Sequence, residues 1–212
     1  MRAIAISPEQ FRSQAAILDR MYQLRARVFR DRLNWDVKVR DGRERDEFDL
    51  CQPTYILVVD ARETVVGAVR LLPATGPTLL SVLFPELGGQ GLFQPHAAMI
   101  ESSRFCVDTS VTAAYEPSGQ GQALHSATWT LFAAIIEWSM GEGYREIVTA
   151  TDVRFERLLN RARWPMRRLG EPHMIGETLS VAGALPADDA SFATVRPPGY
   201  RSDLGSVRRS AA

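Results

Sequence analysis

Apolar positions along the first thirty residues recur at helical spacing: Phe11, Ile17, Leu18, Met21, Leu24, Val28 and Phe29. Ser7 followed by Pro8 is a helix-start signal, so a helix is predicted to run to about Arg30, with Arg25 and Phe29 on one face. Asn34 to Gln52 is charged, contains glycine and lacks periodicity. It reads as a long loop, a feature that in compact domains is usually functional. Two apolar runs, Tyr55 to Ala61 and Thr64 to Pro73, flank Arg62-Glu63 and predict an antiparallel hairpin, with Arg70 the one charge embedded in its second strand. Pro73 to Pro77 is a break, and Leu79 to Phe84 a short apolar piece. Ala97 to Val107 resembles a strand that carries Glu101 and Arg104 among apolar neighbours. Leu124 to Met140 is long enough for a buried helix; Tyr144 to Thr151 reads as a strand, Arg154 to Ala162 as a helix, and Met174 to Leu185 as the last strand. Residues 186–212, rich in Pro, Ser, Ala and Arg, have little to bury and are expected to form a loose tail behind a single domain over 1–185. This order gives an α/β chain with several antiparallel pairs.

Composition narrows the partners. The 25 basic and 25 acidic residues cancel, and no nucleic-acid reader motif is present, so no polyanion partner is implied. No run approaches ~18 apolar residues and the N-terminus lacks an apolar signal core; the expectation is a cytoplasmic chain without a membrane partner. Lys38 is the sole lysine, which reads mainly as genome composition. Cys51 and Cys106 have no CxxC or His/Cys spacing, and His96, His125 and His173 have no partner spacing for a triad, so no metal site is expected.

The chemistry gathers in Arg25 to Asp49 and Ile100 to Asp108. An arginine inside an apolar strand needs a carboxylate partner to offset its desolvation. For Arg70 that is either a structural pair with Glu101 or Asp46, or a shared cluster that adds Asp49 and Arg104, of the kind that shifts pKa values at functional sites. Phe29 and Trp35 offer an aromatic wall for an adenine ring or a sulfonium cation. Glu116 to Leu124 is glycine-bearing and opens a helix as a phosphate loop would, but Glu116 puts an anion where phosphates would sit. Between Arg154 and Gly170 six arginines face the single acid Glu156; this is either a solvated face or a dock for an acidic protein or phosphate-bearing carrier.

Further motifs run through most of the chain: R-x-x-x-F at Arg25–Phe29, R-L-x-W at Arg32–Trp35, G-x-E-x-D-x-F-D at Gly42–Asp49, G-x-x-R-L-L-P-x-T-G-P-x-L-L at Gly67–Leu80, F-P-E-L at Phe84–Leu87 and E-x-S-R-F at Glu101–Phe105. In these the chain resembles the acyl-homoserine-lactone synthases, the LuxI-type autoinducer synthases of bacterial quorum sensing. The resemblance implies a single-domain, GNAT-like three-layer α-β-α sandwich with a mixed, largely antiparallel sheet. It implies an acyltransferase that moves an acyl group from acyl carrier protein or acyl-CoA to the amine of S-adenosylmethionine, then lactonises and releases 5′-methylthioadenosine. S-adenosylmethionine is then a substrate, and no cofactor is expected. By the same resemblance Arg25, Phe29, Trp35, Asp46, Asp49 and Arg104 match the S-adenosylmethionine pocket. Glu101, Arg70 and Asp46 match the catalytic cluster, Glu101 being a candidate base acting directly or through water. Backbone amides near Arg104 to Val107 are the expected oxyanion donors. Thr149, Thr151 and Phe105 match the acyl-chain pocket, where a threonine hydroxyl suits a 3-oxo group, and Arg157 and Arg161 match the carrier-docking positions. Two departures are Ala74, where threonine is commoner, and Arg163, where glycine is usual. Two other readings compete: an ordinary N-acyltransferase using acetyl-CoA, disfavoured by Glu116, and a non-catalytic ligand sensor, disfavoured by the joint presence of Glu101, Asp46 and Arg70.

Overall fold

A nine-stranded mixed sheet divides the chain into two faces. The computed structural model describes residues 1–89, 91–110, 114–115 and 124–205. Its first half holds β1 (Arg2–Ile6), α1 (Ala15–Arg25), β2 (Val39–Arg40), β3 (Arg43–Glu44), β4 (Thr54–Val59), β5 (Val65–Pro73), α2 (Leu79–Val82) and β6 (Met99–Val107). Its second half holds β7 (Ala114–Tyr115), β8 (Leu124–His125), α3 (Ser126–Gly141), β9 (Glu146–Asp152), α4 (Val153–Arg161), β10 (Arg167–Arg168), β11 (His173–Ile175), β12 (Thr178–Pro186), α5 (Asp189–Val195) and β13 (Ser202–Asp203). The sheet order is β10-β12-β9-β6-β5-β4-β1-β13, with β11 also on β12. Only β6–β9 and β1–β13 pair parallel within it.

Alternation along the strands assigns each face its core. Val69 and Leu71 of β5, Ile100 of β6 and Ile147 of β9 pack with α3, α4 and α5. On the opposite face, Tyr55, Leu57 and Ala68 pack against α1, while Met99, Val148 and Ala182 pack near α2 and the turn after it. The result is a three-layer α-β-α sandwich whose sheet is mixed and mostly antiparallel, as the motifs implied.

Two irregularities of β6 shape the centre of the sheet. Between Ala68/Cys106 and Arg70/Ser103 the register slips, so Arg104 and Phe105 together face Val69, and Arg104 adopts φ +55°. Such a bulge breaks the two-residue alternation: Ser103 and Arg104, adjacent in sequence, both contact groups on the α1 face. Further, β6 and β9 pair only over Met99–Glu101 with Glu146–Val148, after which β6 pairs with β5 and β9 with β12. The middle of the sheet therefore opens as a notch beyond Glu101.

Several predicted elements take a different form. The first helix is a 3-10 turn at Pro8–Gln10, then α1, then a π-helical stretch at Ala26–Arg32. The loop over 34–52 contains the β2–β3 hairpin and a 3-10 turn at Glu47–Leu50. The last strand is the β11–β12 hairpin, turned at Gly176 with φ +56°. The tail expected to be loose instead carries α5 and β13. Asp188 caps α5 by accepting the Ser191 N–H at 2.7 Å, Val195 is buried, and Tyr200 donates its hydroxyl to Glu137 of α3 at 2.6 Å. Phe192, Val195 and Tyr200 supply the apolar contacts that the segment's average composition conceals. The glycine-bearing stretch from Glu116 to Gln122 and the tail beyond 205 lie outside the described residues. Among the described residues no helix is long and apolar enough to cross a membrane.

At the end of α4, the Arg163 N–H bonds to the Asn160 carbonyl and the Trp164 N–H to the Leu159 carbonyl, which is the Schellman arrangement. The left-handed residue that arrangement needs is Arg163, at φ +57°. A side chain there costs about 1 kcal/mol relative to glycine. Arg163→Gly is thus expected to raise the unfolding midpoint by roughly 2–4 °C, read by thermal denaturation; an unchanged or lowered midpoint would show that the Arg163 side chain compensates its own strain.

Candidate active site

The polar stretch after α1 behaves locally as a strand, and its alternation sorts charge by sign. Arg43 turns outward to Asp19 of α1, and Arg45 lies over the Tyr22 ring at 3.8 Å. Glu44 and Asp46, between and after them, turn inward. There they meet three arginines delivered by three elements: Arg25 from the end of α1, Arg70 from β5 and Arg104 from the bulge of β6.

These groups form a closed ring of alternating charge. Arg25 pairs with Glu44 at 2.5 Å and with Asp49 at 2.7 Å; Arg104 pairs with Glu44 at 3.2 Å and with Asp46 at 2.8 Å. Arg70 closes it, contacting Asp46 and reaching Asp49 at 3.1 Å. Arg25, Arg70 and Glu44 are essentially without solvent contact. Burial opposes the charge on Arg25, but Asp49 and Glu44 outweigh it and raise its pKa. Burial likewise opposes charge on Asp49, and Arg25 followed by Arg70 overrides it, holding the carboxyl far below the usual carboxylate range. The shared cluster expected around Arg70 is thus present, with Glu44 as a member that the motifs leave unassigned. Its sign-sorted alternation with Arg43, Arg45 and Asp46 is the signal that could have found it.

Asp49 is saturated. Its Oδ1 accepts from Arg25 Nη1 at 2.7 Å, Arg70 Nη1 at 3.1 Å and the Tyr55 hydroxyl at 2.7 Å; its Oδ2 accepts from Arg25 Nη2 at 3.0 Å and the Asp46 N–H at 2.9 Å. Arg70 is not. Its Nε donates to Ser103 at 3.1 Å, while its buried Nη2 has no hydrogen-bond acceptor among the described residues. Asp46 Oδ2 faces Arg104 Nη2 at 2.8 Å, an ion pair whose N–H direction falls short of a hydrogen bond.

Glu101 stands outside the ring, so of the two alternatives for Arg70 neither a structural pair with Glu101 nor a cluster that includes it is present. Its two oxygens accept the N–H groups of Leu79 at 3.1 Å and Leu80 at 2.8 Å, the first residues of α2. Burial raises its pKa, and the neutral donors and the more distant Arg70 only partly oppose this. It differs in this from Glu44, Asp46 and Asp49, each of which contacts two guanidinium groups. Phe29 and Trp35 stack with centroids 5.2 Å apart and planes 10° from parallel, and Arg104 lies 5.7 Å from the Phe29 centroid. The aromatic wall therefore adjoins the ring of charges.

Thr149, Thr151 and Phe105 sit on the other face. Alternation on β9 puts both threonines on the side of Ile147, toward α3 and α4, and Phe105 packs between Phe132 at 5.4 Å and Phe155 at 4.9 Å. They meet the ring of charges only through the notch. Arg157 and Arg161 are exposed on α4 and, with Arg154 and Asn160, line a shallow groove of about 510 Å³.

The comparisons with known proteins agree in kind. The profile of the autoinducer synthases matches residues 9–195. An acyl-homoserine-lactone synthase of Agrobacterium fabrum is 53% identical over 215 residues, covering all of both chains, and one of Aliivibrio fischeri is 35% identical over 188 residues, covering 88% of this chain and 91% of its own. Among solved structures, the crystal structure of the AHL synthase LasI has a TM-score of 0.72 at 28% identity, covering 91% of this chain and 93% of that one. A CoA-dependent acyl-homoserine lactone synthase, BjaI, solved with SAM and isopentyl-CoA, shares the fold with a TM-score of 0.80 at 22% identity over 96% of this chain and 94% of its own.

Proposed function

Since the chain belongs to the autoinducer synthase family and is an acyl-homoserine-lactone synthase, we propose that its charged ring and aromatic wall hold S-adenosylmethionine on one face of the sheet while an acyl thioester enters through the notch from the other. The observation that carries this reading is the position of Glu101. It sits where β6 and β9 part, beside both the ring and the opening, and it is buried without a cation in contact.

Chemistry follows from that contrast. Asp49, bonded to two guanidinium groups, is a weak base, because giving up its charge forfeits both ion pairs. The donors to Glu101 are neutral, the N–H groups of Leu79 and Leu80 and the Thr78 hydroxyl, and its proton affinity is raised by burial, so it takes the proton from the substrate ammonium, directly or through one water. The freed nitrogen attacks the thioester carbonyl; the new N–C bond forms and the acyl C–S bond breaks, releasing a thiol. The carboxylate of the acylated product then attacks the carbon beside the sulfonium, and that C–S bond breaks to give the lactone and 5′-methylthioadenosine. Arg70 Nη2, buried and lacking an acceptor, suits the substrate carboxylate. Arg25, Asp46, Asp49 and Arg104 fix the ring, and Phe29 with Trp35 supplies aromatic surface for the sulfonium or adenine. Among the described residues β6 has no partner strand on the notch side beyond Glu101, which supports reading its amides near Arg104 to Val107 as donors to the developing oxyanion. Thr149, Thr151 and Phe105 would line the acyl chain.

The acyl donor we assign is acyl carrier protein, an acidic partner suited to the groove of Arg154, Arg157 and Arg161. Incubating the full chain with S-adenosylmethionine and paired acyl-carrier and acyl-CoA thioesters tests the reaction, with lactone and 5′-methylthioadenosine appearing in equal amounts as the expected result. An acylated amine without methylthioadenosine would overturn the lactonisation step. Arg157→Glu is expected to raise KM for the carrier substrate about tenfold at low salt and less at high salt, with KM for acyl-CoA little changed. Equal effects on both donors would remove the carrier from that groove.

A further inference from the structure

Behind the ring lies a second layer of hydrogen bonds that neither the reaction nor the family motifs account for. Tyr55, on β4, is fully buried, and its hydroxyl donates to Asp49 Oδ1 at 2.7 Å. The Tyr22 hydroxyl, from α1, lies 3.1 Å from the Tyr55 oxygen. Tyr55 has one proton and gives it to Asp49, so Tyr22 is the donor in this second bond. The rings of the two tyrosines meet edge to face at 6.1 Å, Phe11 closes on Tyr55 at 5.7 Å, and Arg45 covers the outer face of Tyr22. The chain Tyr22–Tyr55–Asp49 thus runs from the packed face of α1 to the group that holds both Arg25 and Arg70.

We infer that Tyr55, supported by Tyr22, is a positioning residue: its hydroxyl fixes the Asp49 carboxylate so that Arg70 presents its unpartnered Nη2 to the substrate. The reason is geometric. Asp49 Oδ1 takes Tyr55 and Arg70 Nη1 together, so the direction of one donor constrains the other. Arg70 has Ser103, the two aspartates and the Phe48 ring, 5.5 Å away, to define its orientation. Without the tyrosine hydroxyl, Asp49 keeps its bidentate contact with Arg25 and can swing away from Arg70. Misplacement of about 1 Å in a reacting constellation costs up to 10²-fold in rate. Burial and the nearby Asp49 charge both raise the pKa of Tyr55, so the hydroxyl remains a donor throughout the working range.

The inference rests on the synthase reading, and its test separates the two. Tyr55→Phe, Tyr22→Phe and the double variant are compared with the unaltered chain by steady-state kinetics with S-adenosylmethionine varied, alongside thermal unfolding. Tyr55→Phe is expected to lower kcat about tenfold with KM changed less than twofold, and Tyr22→Phe to lower kcat about threefold. The double variant should match Tyr55→Phe alone, because Tyr22 acts only through Tyr55. A Tyr55→Phe chain with unaltered kcat overturns the inference, as does a double variant whose kcat loss is the product of the single losses. So does a kcat loss that merely follows a lowered unfolding midpoint and disappears on cooling. An unaltered chain that makes no lactone instead overturns the synthase reading.

Discussion

Glu101→Gln is expected to lower kcat by about 10²–10⁴-fold, the range removed with a positioned general base. The amide keeps the shape of the side chain and one oxygen to accept an N–H of α2, so the fold survives while the proton acceptor is lost. The pH dependence identifies the cause. In the unaltered chain kcat rises as Glu101 ionises, at a pH above that of an ordinary glutamate because burial favours the protonated form. That acidic limb should be absent from Glu101→Gln. Stability moves the other way. A carboxyl whose folded pKa exceeds its unfolded value binds more protons when folded, so its contribution declines as pH rises from about 4.3 through the raised value. Glu101→Gln removes this decline, and its unfolding midpoint at neutral pH should equal or exceed that of the unaltered chain. A variant that retains a tenth or more of kcat would transfer the base role elsewhere.

Arg25→Met is expected to produce the largest loss of stability. It leaves Glu44, which is buried, with Arg104, and Asp49 with Tyr55, Arg70 and one amide. Breaking a buried pair by removing one partner costs about 3–5 kcal/mol, or roughly 6–20 °C in the unfolding midpoint of a chain this size. The sign with pH is again diagnostic. In the unaltered chain Asp49 has a depressed pKa, so its stabilisation is complete above its unfolded value, near pH 4, and is lost as the pH falls toward the folded value. With Arg25 gone, burial acts on Asp49 with less opposition and favours its protonated form, so the deficit should shrink as the pH falls from neutral toward about 4. Adding Glu44→Gln should restore part of the midpoint. A deficit that does not change with pH would mean that Arg25 stabilises through the packing of its stem rather than through the ring.

Much of this arrangement is legible in the residues. The run around Arg70 gives β4 and β5 with the charge facing inward, and the stretch from Ala97 to Val107 gives β6. Arg25, Asp46, Asp49 and Arg104 do meet around Arg70, and Phe29 stacks on Trp35. The misses share a cause. Glu44 looks like one more charge on a loop because the strand-like alternation of 43–46 exists only once α1 and the ring take its two sides. Tyr22 falls in the first helix and Tyr55 opens an apolar run; that their hydroxyls lead to Asp49 depends on how α1 packs against the sheet. A pair with Arg70 or a place in its cluster are the alternatives open to Glu101, yet a short helix 21 residues upstream offers it two amides. The tail looks loose because its few apolar groups, Phe192, Val195 and Tyr200, matter only against α3.

By itself, then, the order of residues determined what is local: which segments are strands or helices, which charges lie among apolar neighbours, and which family the motifs mark. Periodicity and capping act over a few residues, so they can be read without coordinates. Tertiary structure alone decided which carboxylate each arginine holds, that Glu101 is bonded by two amides of α2, and that β6 and β9 part beyond Glu101. Those outcomes depend on distances between groups 20 to 60 positions apart in the chain, and electrostatic energy in a buried site depends so strongly on separation and on water that composition cannot settle it.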